Sequence, residues 1–239
     1  MRKVLVPAEN YDLEKTLKSG QLFRFRPYRD GFLVQSTDRY CYIAQEDENV
    51  LALHVPLHAD VPYWENFFGV YDNYENLEEV MSQNKFLRKV YEFSKGVHIL
   101  RQDPFEALVC FIISQQNNIP RIMKCVEAIC ASAGKPIGEG LYAFPTPDQI
   151  RPPVLENCGL GYRKNYIYNI AYLVSNRFLR LEDLTADKTS SQHAIQELTR
   201  EDGIGIKVVS CAAIYGLGHR DRFPIDVWIQ RILDAHYQA

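Results

Sequence analysis

Hydrophobic and polar residues alternate along much of the first 57 residues of the chain, and this pattern predicts β-strands. The alternation covers residues 21–26, 31–36, 39–44 and 49–55. Turn-forming sequences at residues 29–31 and 46–49 separate these segments. Strands of period two joined by short polar turns are typical of antiparallel hairpins. The N-terminal part is therefore predicted to form a small antiparallel sheet.

From about residue 61 the apolar positions follow a helical period instead. Segment 104–114 is so apolar that its helix must be buried, and Asp103 is placed to cap it. The fold class is therefore α+β and mainly α, with a sheet domain at residues 1–60 and a helical domain at 61–239. Helices are predicted at 63–68, 76–93, 104–114, 119–133, within 145–158, at 163–178, 190–200 and 207–215, and from residue 226.

Composition excludes several classes of protein. The 239 residues are 46% hydrophobic and 24% charged, which is ordinary for a globular chain, and no apolar run reaches the roughly 20 residues that span a bilayer. The formal net charge is −3, so any surface for nucleic acid would have to be local. The six cysteines include no CxxC pair, which argues against a zinc site or a four-cysteine iron–sulfur cluster. We expect no metal and no cofactor.

The most informative segment is 198–211, which contains Gly203, Gly205 and Lys207. Glycines before a helix allow a tight turn that leaves backbone N–H groups for an anion. Asp226 follows 19 residues after Lys207, at the start of another predicted helix. Taken alone, the lysine could be a solvated surface residue and the aspartate an N-cap. Together, the donors, the amine and the carboxylate suggest covalent chemistry beside a bound phosphate backbone.

This combination resembles the helix–hairpin–helix (HhH-GPD) base-excision glycosylase superfamily, with the hairpin motif at 192–218. The segments Leu17-Lys-Ser-Gly-Gln-Leu-Phe-Arg-Phe25, 100–106, 114–122 and Gly159-Leu-Gly-Tyr-Arg163 resemble its 8-oxoguanine DNA glycosylase branch. The resemblance runs from about residue 11 to the end of the chain.

The resemblance implies the catalytic roles. In the family, the lysine at the position of Lys207 attacks C1′ of a flipped nucleotide, expels the base and forms a Schiff base, after which elimination of the 3′-phosphate nicks the strand. The aspartate at the position of Asp226 stabilises positive charge on the sugar. Because glycosylases that use water lack the lysine, both residues together imply a bifunctional glycosylase and abasic-site lyase.

The resemblance also implies the binding residues. The carbonyl of Gly20 would accept a hydrogen bond from N7–H of 8-oxoguanine, a hydrogen that guanine lacks, and Cys211 would lie against the flipped base. Gly203 and Gly205 would hold phosphates. The residues implied around the orphaned partner base are Gln116, Asn118, Arg121, Tyr162 and Arg163.

Three features depart from the family pattern. Gln116 stands where better-known members have asparagine, and Trp228 stands where some have a histidine that contacts phosphate. The sequence stops at Ala239, 13 residues after Asp226, with no counterpart of the helices that supply an aromatic residue and a glutamine to the base pocket. We expect either a shortened chain or a more open pocket, which affects base specificity more than lyase chemistry.

The sequence therefore predicts an enzyme of base-excision repair that removes 8-oxoguanine opposite cytosine from double-stranded DNA. We expect it to act as a monomer in the cytoplasm, associated with the nucleoid and not with a membrane. The alternatives are a related glycosylase for another damaged base and a non-catalytic DNA-binding module of the same fold.

Overall fold

The computed structural model describes residues 1–74, 76–138 and 140–237; Ala239, the last residue of the sequence, lies outside them. The chain forms two compact units, Met1–Arg101 and Gln102–Ala239. Within the described residues, no helix is both long enough and apolar enough to cross a bilayer. All six cysteines are buried and free.

The first unit is built on a five-stranded antiparallel sheet of order β1-β5-β4-β3-β2. Three of the four predicted strands match β3, β4 and β5, although each of these strands buries consecutive residues rather than one face alone. The elements are β1 (Arg2–Pro7), α1 (Leu13–Lys18), β2 (Phe25–Tyr28), β3 (Gly31–Ser36), β4 (Arg39–Asp47), β5 (Val50–Val55), α2 (Val61–Phe68), α3 (Leu77–Ser82) and α4 (Lys85–Ser94).

The helix α2 belongs to the core of the sheet. Trp64, Phe67 and Phe68 are fully buried and share one hydrophobic cluster with strand residues such as Ile43 and Leu53. Because these large aromatic side chains are buried against a face of the sheet, the helix and the sheet form two layers around one hydrophobic core. The units therefore divide after Arg101, whereas the sequence pattern placed the boundary at residue 60.

Two local predictions differ from the structure. Residues 21–24 form a turn rather than the start of a strand, because the side chain of Gln21 is drawn into the interior. The helix predicted over 76–93 is broken into α3 and α4, because the Asn84 side chain accepts hydrogen bonds from the backbone N–H groups of Phe86 and Leu87 and starts a new helix there.

In the described part of the second unit, the regular structure is helical apart from one two-stranded ribbon. Its elements are α5 (Pro104–Ser114), α6 (Ile119–Ala133), β6 (Pro136–Gly138), β7 (Leu141–Tyr142), α7 (Pro152–Leu155), α8 (Arg163–Ser175), α9 (Ser191–Leu198), α10 (Ile206–Tyr215) and α11 (Val227–His236). Every residue from 105 to 113 of α5 is buried, as predicted. The predicted fold class, α+β and mainly α with the sheet at the N-terminus, is confirmed.

The helices α5 and α10 pack closely in opposite directions. A Cβ added at Gly216, just after α10, would lie 3.0 Å from the Cβ of Ala107 near the start of α5. The Phe111 ring stacks on Tyr215 with centroids 5.5 Å apart. The end of α5 consequently adjoins the beginning of α10.

The buried amide of Gln21 holds the turn that follows α1. Its Oε1 accepts a hydrogen bond from Leu100 N (2.8 Å), and its Nε2 donates to the carbonyls of His98 (2.8 Å) and Thr16 (3.3 Å). Backbone groups that are buried without water need such partners. This one side chain therefore fixes residues 19–22 against the 98–100 segment of the same unit.

We expect Gln21→Ala to lower the free energy of unfolding by about 2–4 kcal/mol, because each buried backbone group left without a partner costs about 1–3 kcal/mol. Urea denaturation followed by circular dichroism measures this. The exposed Gln83 supplies the matched control, and Gln83→Ala should change stability by less than about 0.5 kcal/mol. Equal loss in both variants would contradict the role of Gln21.

Candidate active site in the helical unit

A helix–hairpin–helix motif lies where the sequence predicts it, with α9 and α10 joined by residues 199–205. Gly203 adopts a left-handed backbone (φ 78°), and a Cβ there would overlap the ring of Tyr166. Only glycine satisfies both constraints. Gly205, the N-cap residue of α10, faces open space and has an ordinary φ of −80°.

The hairpin leaves donors at the start of α10. Gly205 makes no side-chain capping hydrogen bond, so the N–H groups of the first turn of α10 have no such partner. These donors and the positive end of the helix dipole favour an anion at the same place. The hairpin is therefore suited to bind a phosphate.

The amine of Lys207 turns back toward the end of α5. Lys207 is half-buried, and its Nζ donates a hydrogen bond to Ser114 Oγ at 3.2 Å. The same Nζ lies 5.5 Å from the centroid of the Phe111 ring, within the range of a cation–π contact. The amine is thus held in place and is not a freely solvated surface group.

Cys211 lies one helical turn after Lys207 and is buried. Burial raises the pKa of the Cys211 thiol; the Lys207 ammonium opposes this rise, and the Asp226 carboxylate adds to it. The thiol therefore stays protonated at neutral pH. The Cys211 thiol therefore lies within electrostatic range of both Lys207 and Asp226.

Asp226 caps α11. Its Oδ1 accepts hydrogen bonds from the backbone N–H groups of Trp228 and Ile229, both at 2.9 Å. A carboxylate held by one oxygen in this way has a fixed orientation. Trp228 is exposed, and the guanidinium of Arg231 lies 4.8 Å from its ring centroid.

Arg163 occupies a different environment from the predicted one. It is only 6% exposed, and its guanidinium donates to the carbonyls of Leu160 (3.2 Å), Gln116 (3.2 Å) and Gln115 (2.9 Å from Nε). A second, short hydrogen bond joins Nη2 to the Gln115 carbonyl. These bonds occupy most of its donors, so the side chain supports the 115–116 turn rather than presenting a donor edge to an orphaned base.

The turn that Arg163 supports is unusual. Gln116 has a left-handed backbone (φ 46°), which is uncommon for a residue other than glycine, and its side chain is exposed. Gln115 donates from Nε2 to the carbonyl of Gly203 at 2.8 Å. The turn is therefore tied to α8 by an arginine and to the hairpin by a glutamine.

The other predicted binding residues lie near this turn or at helix starts. Asn118 caps α6 by accepting from Arg121 N (3.0 Å), and the Arg121 side chain is exposed. Tyr162 is 48% exposed and packs edge-on against Tyr166. Tyr162 and Gln116 share an open groove of about 750 Å³ with the hairpin residues 199–205.

Gly20 belongs to the N-terminal unit. It has a left-handed backbone (φ 89°) and follows α1 directly, in the turn held by Gln21. Among the described residues, no hydrogen bond to its carbonyl is found. Its predicted contact with a lesion base stays a prediction.

The sequence reading did not identify Ser114, Gln115 or Tyr166 as site residues. Their roles come from contacts with residues far away in the sequence; Ser114, for example, is 93 positions from Lys207. The one available signal was the position of Ser114 and Gln115 in the family-like 114–122 segment.

We expect Gly203→Ala to lower the thermal midpoint markedly, because the new Cβ collides with the Tyr166 ring and strains a left-handed backbone. The loss should be about 2 kcal/mol or more. Gly205→Ala is the matched control, since open space and a permitted φ should keep its midpoint near that of the parent. Scanning calorimetry measures both, and a stable Gly203→Ala protein would contradict this reading of the turn.

The family model for the "8-oxoguanine DNA glycosylase, N-terminal domain" matches residues 3–108. The N-glycosylase/DNA lyase of Saccharomyces cerevisiae is 32% identical over 161 residues, an alignment that covers 60% of this chain and 43% of the yeast protein. This chain thus aligns with less than half of the length of that relative.

Two solved structures match almost the whole chain, each with a TM-score of 0.92. The structure of MBOgg1 in complex with a low-affinity DNA ligand is 32% identical in sequence, and the match covers 98% of this chain and 83% of the MBOgg1 chain. The 8-oxoguanine glycosylase/lyase of Clostridium acetobutylicum was solved in complex with double-stranded DNA containing cytosine opposite 8-oxoG. It is 28% identical, and the match covers 99% of this chain and 84% of the Clostridium chain. The chain therefore belongs to the 8-oxoguanine DNA glycosylase family of the helix–hairpin–helix superfamily.

Proposed function

We propose that this chain is a bifunctional DNA glycosylase and abasic-site lyase that excises 8-oxoguanine paired with cytosine. The observation that carries the proposal is the convergence of the Lys207 amine, the Cys211 thiol and the Asp226 carboxylate beside a phosphate-binding hairpin. An amine next to an anion site can react with a sugar carbon while the backbone phosphate is held. The yeast relative is named an N-glycosylase/DNA lyase, and the Clostridium acetobutylicum structure is of an 8-oxoguanine glycosylase/lyase on DNA with cytosine opposite the lesion.

Lys207 is the nucleophile. With the nucleotide flipped out of the stack, the neutral amine forms a bond to C1′ while the bond from C1′ to the base breaks, and the base leaves with the electron pair. The new ammonium on C1′ passes a proton to the departing base; the C1′–O4′ bond then breaks, O4′ takes a proton from water, and C1′ and the nitrogen form a protonated Schiff base. Loss of a proton from C2′ then expels the 3′-phosphate, and hydrolysis of the Schiff base returns the amine.

Asp226 stabilises positive charge that develops on the sugar ring as the base departs. Its carboxylate is fixed by two backbone N–H groups at 2.9 Å, so little reorganisation is needed when the charge appears. Cys211 lies one turn from the nucleophile with a neutral thiol, which suits contact with the face of a neutral base. The Gly20 carbonyl is the predicted acceptor for N7–H of the lesion.

The opposite base is read by the exposed side chains of Gln116 and Arg121. A guanidinium matches the two acceptors, O2 and N3, on the edge of an unpaired cytosine. Tyr162 is placed to wedge into the stack that the lesion leaves. Arg163 acts indirectly by holding the Gln116 turn.

We expect the protein to act on DNA as a monomer, in the cytoplasm and associated with the nucleoid. Its net charge of −3 confines DNA contact to local features such as the hairpin amides and Arg121.

The first test is borohydride trapping with a duplex that holds one 8-oxoguanine opposite cytosine. The parent protein should give a covalent protein–DNA band, and Lys207→Gln should reduce its rate of formation by on the order of 10³-fold or more, because an amide cannot form a Schiff base. Lys188→Gln, which changes an exposed lysine away from the site, should trap like the parent. A band of normal intensity from Lys207→Gln would refute the assignment.

The second test concerns the opposite base. Arg121→Ala should lower the preference for cytosine over adenine by about 5- to 150-fold, the range that corresponds to loss of about 1–3 kcal/mol of base-edge contact. Single-turnover excision rates on the two duplexes give the ratio. Arg180→Ala, an exposed arginine paired with Asp183, is the control and should leave the ratio unchanged. An unchanged ratio in Arg121→Ala would remove that residue from base reading.

A further inference from the structure

Ser114 is the last residue of α5, and its hydroxyl lies between the end of that helix and the Lys207 amine. Ser114 Oγ donates to the carbonyl of Phe111 at 2.7 Å and accepts from Lys207 Nζ at 3.2 Å. The hydroxyl thus donates its hydrogen to the Phe111 carbonyl and accepts one hydrogen bond from the Lys207 amine.

The direction of these bonds follows from the helix end. The last carbonyls of a helix lack partners within it, and the N–H of Gln115 goes to Ile112 instead of Phe111. The Ser114 hydroxyl satisfies the Phe111 carbonyl, so its single hydrogen is used. Toward Lys207, the Ser114 oxygen therefore acts as a hydrogen-bond acceptor through a lone pair.

A lone pair at a fixed point orients the amine. One N–H of Lys207 is directed at Ser114, and the Phe111 ring lies 5.5 Å from the nitrogen. When the amine is neutral, its own lone pair must point away from the acceptor. Ser114 therefore turns the reactive lone pair outward from α5.

The position of Ser114 is rigid. Residues 105–113 of the same helix are all buried, so α5 cannot shift without breaking the core of the unit. Lys207 has a long, flexible side chain that would otherwise sample many rotamers. The Ser114 oxygen, held at the end of the buried helix α5, selects one of these Lys207 rotamers.

We propose that Ser114 is a positioning residue that aims the Lys207 amine at C1′ of the substrate sugar. The proposal rests on the function proposed above, because it assumes that Lys207 is the nucleophile. Misplacement of a reacting group by about 1 Å can reduce a rate by about 10²-fold. The rate of Schiff-base formation should consequently depend on the Ser114 hydroxyl, whereas DNA affinity should not.

The experiment uses borohydride trapping on a duplex with an abasic site, so that base recognition does not enter. Ser114→Ala should lower the single-turnover trapping rate at saturating protein by about 10-fold or more, with the Kd for the same duplex within about 3-fold of the parent. Ser114→Thr keeps the hydroxyl and can make the same bond to the preceding helical turn, so it should restore the rate to within about 3-fold. Ser114→Cys keeps the volume but has a weak acceptor, and should be slow like alanine.

The outcomes separate the two proposals. If the parent traps and Lys207→Gln does not, the proposed function stands whatever Ser114 variants do. If Ser114→Ala then traps at the rate of the parent protein, only the proposed role of Ser114 is overturned. The same holds if the alanine and threonine variants are equally slow. If the parent itself fails to trap, the proposed function fails and the role of Ser114 fails with it. Thermal unfolding of each variant identifies a rate loss that comes from misfolding, and Ser114→Cys then decides in place of Ser114→Ala.

Discussion

The packing of α5 against α10 is the constraint on which the site depends. Nine consecutive buried residues, 105–113, lock α5 into the core of the helical unit. The glycine after α10 permits close approach to the start of α5, where a larger side chain would meet Ala107 and Pro104. Because the helices run in opposite directions, the same packing brings Ser114 to Lys207 at the other end. The packing that stabilises the core therefore also sets the geometry of the proposed nucleophile.

This arrangement accommodates a cation that the hairpin alone would disfavour. Lys207 lies in the first turn of α10, where the helix dipole and the N–H groups repel positive charge and attract phosphate. Its side chain reaches back to the last turn of α5, where the dipole has the opposite sign and the Ser114 oxygen and Phe111 ring accept the amine. The hairpin N–H groups, which suit an anion, and the Lys207 amine thus occupy separate places. Arg163 ties the Gln116 turn to α8 and Gln115 ties it to the hairpin, so the residues proposed to read the opposite base are positioned by the same framework.

Local sequence patterns were enough to predict much of the fold and part of the candidate site. Alternation located β3 to β5, and Gly203 of the hairpin was identifiable because a left-handed backbone favours glycine at that position. The short helix α1 left too few periodic positions to be recognised, and Asn84 divides a helix by a side-chain bond that periodicity does not register. Ser114 and Arg163 gain their roles from partners 93 and 48 positions away, so no local pattern could assign them. The family resemblance gave Arg163 a direct contact, whereas its buried guanidinium supports a backbone turn.

The most direct measurement of the central claim is the identity of the residue that carries the sugar after borohydride reduction. The trapped protein–DNA conjugate is digested with nuclease and protease, and the modified peptide is sequenced by mass spectrometry. We expect the deoxyribose remnant on Nζ of Lys207, within the peptide that follows the hairpin glycines. A remnant on the N-terminal amine, or on any other lysine, would contradict the claim that the packing of α5 and α10 sets the nucleophile.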